Sequence, residues 1–202
     1  MSTLTLPAAY PTRTTQKPVL TRALAIASSR PMRITGTASH SRRVADHAAR
    51  LAAQLGHAPG RIARIRMAGL LHDVGKAWIP TAVLTKPGLL EPSEWTLIEA
   101  HPLTGAGLLG GDPACADIAT WIRTHHERPD GLGYPNGLTA ADIQAEALIL
   151  AVADAYDAMV STRPNSLPVD RATALDELRK GAGTQFDQAV VAAFERTVLA
   201  PA

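Results

Sequence analysis

The chain has 202 residues, 46% of them hydrophobic and only 4% aromatic, which suits one helical core packed through small and aliphatic side chains and is short for two. Its single cysteine, Cys115, excludes an internal disulfide and a thiolate zinc site. The net charge of +2 hides a basic first fifty residues, with eight Lys or Arg against Asp46 alone, and a mildly acidic remainder; without aromatic interleaving, that leader argues against a nucleic-acid polymer as partner.

In chain order, Pro7, Pro11 and Pro18 keep residues 1–18 from regular structure and predict a flexible arm, followed by one domain over residues 19–202. A short helix is expected from Leu20 to Ser28, stopped by Pro31, then a second from Ser39 to Leu55 with Val44, Ala48, Leu51 and Leu55 on one face before Gly56. Ala58-Pro59-Gly60 opens a third helix that closes at Leu71-His72-Asp73-Val74-Gly75-Lys76. A connector with one helical turn at Thr81 to Leu84 leads to a fourth helix from Ser93 through Trp95, Ile98 and His101 to Leu108.

A fifth helix begins at Pro113 and ends at His125-His126, after which Pro129 to Gly137 can only be an exposed, shaped loop. Thr139 is expected to cap a sixth helix carrying Asp154 and ended by Pro164. Two amphipathic helices, Val169 to Lys180 and Asp187 to Leu199, complete an all-α bundle of about seven to eight helices. No apolar run approaches the roughly 20 residues that a bilayer span needs, and the leader lacks the apolar core of a secretion signal. The expectation is a cytoplasmic protein without membrane insertion.

Five of the seven histidines, His40, His72, His101, His125 and His126, lie at predicted helix ends or beside helix breakers, with carboxylates at Asp73 and Asp154. His47 and His57 occupy ordinary helix-face and turn positions and read as structural. The other five put several polar groups beside apolar faces, a cost that metal coordination offsets for all of them together. Imidazole and carboxylate suit Fe, Mn, Co, Ni or Zn. Seven ligands are too many for one catalytic ion and fit two that share a carboxylate and a hydroxide.

These residues resemble a known family. His40, His72-Asp73 and Asp154 are similar to the HD superfamily. His101 and the run His125-His126-Glu127-Arg128-Pro129-Asp130-Gly131-Leu132-Gly133-Tyr134-Pro135 resemble its HD-GYP branch, over roughly residues 33–197. The resemblance implies hydrolysis of cyclic di-GMP by a hydroxide bridging two metals, Fe or Mn before Co, Ni or Zn. One ion would take His40, His72, Asp73 and Asp154, and the other Asp73, His101, His125 and His126. Asp73 and Lys76 would be catalytic. By the same resemblance Lys76, Gly133, Tyr134 and Arg163 would contact substrate, although Lys76 also reads as a helix-end lysine and Arg163 as a helix-end cation. Arg128 and Asp130 are expected to pin the loop to itself by a salt bridge.

Three-metal members of the family carry a Glu where this chain has Gly36, so two metals and pGpG as main product are expected. Asn165-Ser166 and Leu132 depart from the family pattern at substrate-facing positions. Two other readings stay open: a weakly active or inactive module that binds nucleotide or docks GGDEF domains through the Gly-Tyr-Pro loop, and an HD hydrolase for a different cyclic dinucleotide.

Overall fold

The computed structural model describes residues 19–162 and 167–199, and among them every regular element is a helix. The chain runs α1 (Val19–Ala27), α2 (Arg30–Ile34), α3 (Thr37–Gln54), α4 (Pro59–Leu71), a 3-10 turn (Val74–Trp78) and α5 (Thr81–Leu84). It continues through α6 (Pro92–Glu99), α7 (His101–Leu109), a 3-10 turn (Pro113–Cys115), α8 (Ala116–Thr124), α9 (Ala145–Val160), α10 (Arg171–Gly181) and α11 (Gln188–Leu199).

This all-α architecture agrees with the sequence reading, but the described residues hold more helices than the seven or eight expected, for identifiable reasons. Pro31 does not merely stop the first helix. It stands in the first turn of α2, where its missing N–H costs nothing. The single helix expected from Ser93 to Leu108 is two, because Pro102 cannot donate to the Ile98 carbonyl and its ring crowds that turn. Thr139 caps no helix: it pairs across an isolated bridge with Asp130, its hydroxyl bonds to Asp142, and α9 begins only at Ala145. That helix ends at Val160, while Pro164, its expected terminator, and the arm over residues 1–18 lie outside the described residues.

At the centre, α3 packs against α4 and α9, and α7 against α8 and the 3-10 turn at Val74. The α3–α4 crossing is set by a small-residue contact, since a Cβ on Gly69 would lie 2.7 Å from the Ala45 Cα. A second close approach joins the 3-10 turn to α7, where a Cβ on Gly75 would lie 2.1 Å from the His101 carbonyl oxygen. Leu51, Ile65, Leu71, Trp121, Ile149 and Phe194 fill the core between these helices; burying a large apolar side chain contributes about 1.5–3 kcal/mol. His47 fits its structural reading, packed edge-on against Tyr156 and Phe194, and Cys115 is a buried free thiol. No helix among the described residues is long and apolar enough to cross a membrane.

Candidate metal centre

Four helix ends and one helix interior converge on Asp73. His72 closes α4, His101 opens α7, His125 follows α8, and His40 lies one turn into α3, opposite Asp154 of α9. Three of these imidazoles are held in the same way. His72 Nδ1 is 2.8 Å from the Gly69 carbonyl, His101 Nδ1 2.6 Å from that of Ile98, and His125 Nδ1 2.6 Å from that of Ile122. A carbonyl only accepts, so in each ring Nδ1 carries a proton, and in the neutral ring Nε2 presents a bare lone pair. For His101 the accepting carbonyl is the one that Pro102 leaves without its helical donor.

Those lone pairs point at one another's neighbourhood without protons between them. His101 Nε2 lies 3.1 Å from Asp73 Oδ1, and His72 Nε2 lies 3.4 Å from Asp73 Oδ2. His72 Nε2, His101 Nε2, His125 Nε2 and Asp73 Oδ1 are all buried without a hydrogen-bond partner. Leaving one such group unsatisfied costs about 1–3 kcal/mol. Acceptor facing acceptor in a buried pocket is the arrangement a cation repairs, and the donor set of imidazole and carboxylate suits a divalent transition metal. The potential ligand atoms of Asp73, His101, His125 and His126 lie within 4.8 Å of one another, as do those of His40, His72 and Asp73. A third such group, His72, His125 and Asp154, links the two. All seven ligand candidates read from sequence are therefore brought together.

The electrostatics divide the histidines. Burial holds His125 well below its ordinary range, lowers His72, and takes His126 down to about 3, so these rings are neutral near pH 7. His40 is the exception. Burial opposes its charge, but hydrogen bonds to Asp154 at 2.9 Å and Asp157 at 2.6 Å raise it to about 9. Burial likewise opposes ionisation of Asp73, yet the Lys76 ammonium at 2.8 Å and His72 hold it well below the carboxylate range. Asp154 is held low against its burial mainly by His40.

Two carboxylates that matter were not singled out from sequence. Asp157, fully buried, bonds His40 Nδ1 and accepts from Nε and Nη2 along one edge of the Arg43 guanidinium. The available signal was its place one turn beyond Asp154 in an otherwise apolar stretch. Glu127, inside the motif itself, accepts the backbone N–H groups of Asn136 at 2.7 Å and Leu138 at 2.9 Å, and so ties the far side of the Gly-Tyr-Pro loop to the helix end.

In that loop Arg128 and Asp130 form the expected salt bridge, at 2.5 Å. A Cβ on Gly133 would lie 2.4 Å from the Arg128 amide nitrogen and 2.5 Å from the His126 carbonyl oxygen, so no other residue fits without moving the chain. The Tyr134 ring then lies over His126, centroids 4.8 Å apart and 32° from parallel. Leu132 is 77% exposed at the loop's edge. Gly36, with φ +76, precedes α3 and offers no ligand. Arg163 lies outside the described residues. Over the metal centre opens a cleft of about 420 Å³, walled by His125, His126 and Asp154 on one side and by Trp95, Glu99 and Tyr134 among others.

Comparison with known proteins places this geometry in context. The family model of the HD domain matches residues 23–190. A cyclic di-GMP phosphodiesterase of Thermotoga maritima is 39% identical over 160 residues, which is 78% of this chain and 44% of that protein. A 3'3'-cGAMP-specific phosphodiesterase 3 of Vibrio cholerae is 36% identical over 143 residues, 70% of this chain and 31% of that protein. The chain thus spans less than half the length of these curated relatives. Among solved structures, Bd1817, an HDG"Y"P protein from Bdellovibrio bacteriovorus, superposes with a TM-score of 0.67 at 21% identity, over 90% of this chain and 61% of that one.

Proposed function

Because the chain belongs to the HD domain family, we propose that it is a metal-dependent phosphodiesterase that opens cyclic di-GMP to linear pGpG. The observation that carries this reading is the ring of buried, proton-free Nε2 atoms facing the Asp73 carboxylate, which no hydrogen bond among the described residues satisfies. His40, His72, Asp73 and Asp154 would hold one divalent ion, and Asp73, His101, His125 and His126 a second. Fe or Mn fits this nitrogen and oxygen donor set best, with Co, Ni or Zn as substitutes. When bound, such a pair supplies Lewis-acid neutralisation of phosphate charge and a water of lowered pKa.

The chain's own residues supply the rest. Asp73 spans the two ligand groups, so its two oxygens fix their relation. Lys76, bonded to Asp73 Oδ2, keeps that carboxylate ionised, and its ammonium would serve a phosphate oxygen held at the metal pair. Tyr134, positioned by Gly133 and stacked on His126, offers a ring and a hydroxyl to the nucleotide. Arg163 is a candidate phosphate clamp. Gly36 leaves the His40 side without the carboxylate that a third ion would need, which supports two ions and a first cleavage as the main event. The exposed Leu132 makes the loop edge a candidate contact for GGDEF domains.

A second reading, that another cyclic dinucleotide is the substrate, is favoured by the similarity to a protein named as specific for 3'3'-cGAMP. The test is anaerobic purification followed by elemental analysis and product chromatography with cyclic di-GMP, 3'3'-cGAMP and cyclic di-AMP. Two equivalents of metal with pGpG accumulating is the expected result. Tight nucleotide binding with no turnover at full metal loading would replace the enzyme with a binding module.

A further inference from the structure

One wall of the cleft has chemistry that phosphodiester cleavage does not require. Trp95 and Glu99 stand four residues apart on α6, on one face of the helix, and both line the cleft. Trp95 is 48% exposed there, a costly place for an indole. Glu99 forms no ion pair or hydrogen bond among the described residues, and it belongs to none of the groups with metal-ligand spacing. Among the described residues that line the cleft the guanidinium is Arg128, and it is already held by two bonds to Asp130. A carboxylate without a cationic partner among the described residues, in a cleft that must accept an anionic diester, repels the phosphate and is suited to recognise another part of the ligand.

We infer that Trp95 and Glu99 form a guanine subsite, and that Glu99 sets the base preference of the enzyme. The inference rests on the cyclic-dinucleotide reading above. An indole face stacks on any base and so gives affinity without choice. A carboxylate is selective. It accepts two coplanar hydrogen bonds from guanine N1–H and the exocyclic N2 amino group. Adenine offers its N6 amino group beside the N1 lone pair, so one carboxylate oxygen would face an acceptor. Cyclic di-GMP and 3'3'-cGAMP both present a guanine to such a site, whereas cyclic di-AMP presents none.

The substitution Glu99→Gln tests this as a change of preference. A Gln amide accepts from adenine N6 and donates to adenine N1; held where the carboxylate spans guanine N1–H and N2 it sets N–H against N–H, and a guanine contact survives only if the amide shifts to N1–H and O6. With Mn-loaded protein, the ratio of kcat/KM for cyclic di-GMP over cyclic di-AMP should fall by about tenfold or more in Glu99→Gln, mostly through KM, the range expected for losing one bidentate base contact. Quenching of tryptophan fluorescence by each cyclic dinucleotide, titrated into metal-free protein, should change preference in the same direction, and Trp95→Phe should remove most of the quench. An unchanged ratio in both readouts overturns the subsite while leaving the phosphodiesterase intact. Wild-type protein that cleaves bis-p-nitrophenyl phosphate but no cyclic dinucleotide overturns the function reading, and the subsite with it.

Discussion

The two sides of the metal centre are built on opposite principles. On the α3–α9 side, His40 lies between two carboxylates, Asp154 and Asp157, and is raised to about 9. On the α7–α8 side, His101, His125 and His126 crowd together with Asp73 as the near carboxylate, and burial holds His125 and His126 neutral. The first side stores negative charge and must release a proton before its ring can ligate. The second is already in ligating form and holds its donors at the cost of unsatisfied polar atoms. The contrast predicts two ion sites of unequal character, joined through one residue.

The most severe break is Asp73→Ala, which removes the shared member. Elemental analysis should find both ions lost, and turnover should drop by about three orders of magnitude or more, as when a catalytic metal is removed. Full activity in this variant would end the two-site scheme. Next in size, His126→Ala and His40→Ala should each remove about one equivalent of metal, leaving the other side loaded. Loss of both ions from either variant would mean the sides are a single cooperative site.

Much of this was legible before the fold was known. The helix ends were visible because Pro, Gly and the apolar period mark them, and the cluster of candidate ligands was visible because polar residues gathered at those ends. What could not be read is contact across long separations. Asp157 meets His40 from 117 positions away, and no local spacing in either segment announces the pair. The break at Pro102 was readable in principle, and the sequence reading ran one helix through it because the apolar positions on both sides keep a similar period. The false cap at Thr139 has a tertiary cause, the bridge to Asp130, which outweighs a favourable local capping residue.

A finer test separates the sides through their supports. Asp157→Asn keeps every ligand but weakens the charge and orientation imposed on His40, and metal affinity on that side should fall by about 10- to 100-fold. A metal titration followed by calorimetry should then show one weakened and one unaltered phase. Equal weakening of both would place Asp157 in general stability instead.

The smallest expected effect is in proton linkage of the metal-free protein. His72, His125 and His126 are depressed relative to an unfolded value near 6.5, so the unfolded chain takes up protons first. Stability should fall as pH drops below about 6.5, and continue falling towards about 3, the value reached by His126. His40 acts in the opposite sense. Its contribution is fully present below about 6.5 and is lost as pH rises through about 9. Melting temperatures across that range should therefore bend in both directions, and His40→Gln should flatten the alkaline limb and also shift the acid limb through Asp154 and Asp157, which His40 holds low.

The contact between Gly75 and the His101 carbonyl has a further consequence. It places main chain against main chain, with no side chain between the turn that carries Asp73 and the helix that carries His101. A side-chain interface can breathe as rotamers change, whereas two backbones in touch behave as a fixed gauge. The separation of the two ligand groups is then machined into the fold before any ion arrives. Any ions held by the two groups would meet a spacing set by the backbone, and a single methyl group at position 75 would force the jaws apart.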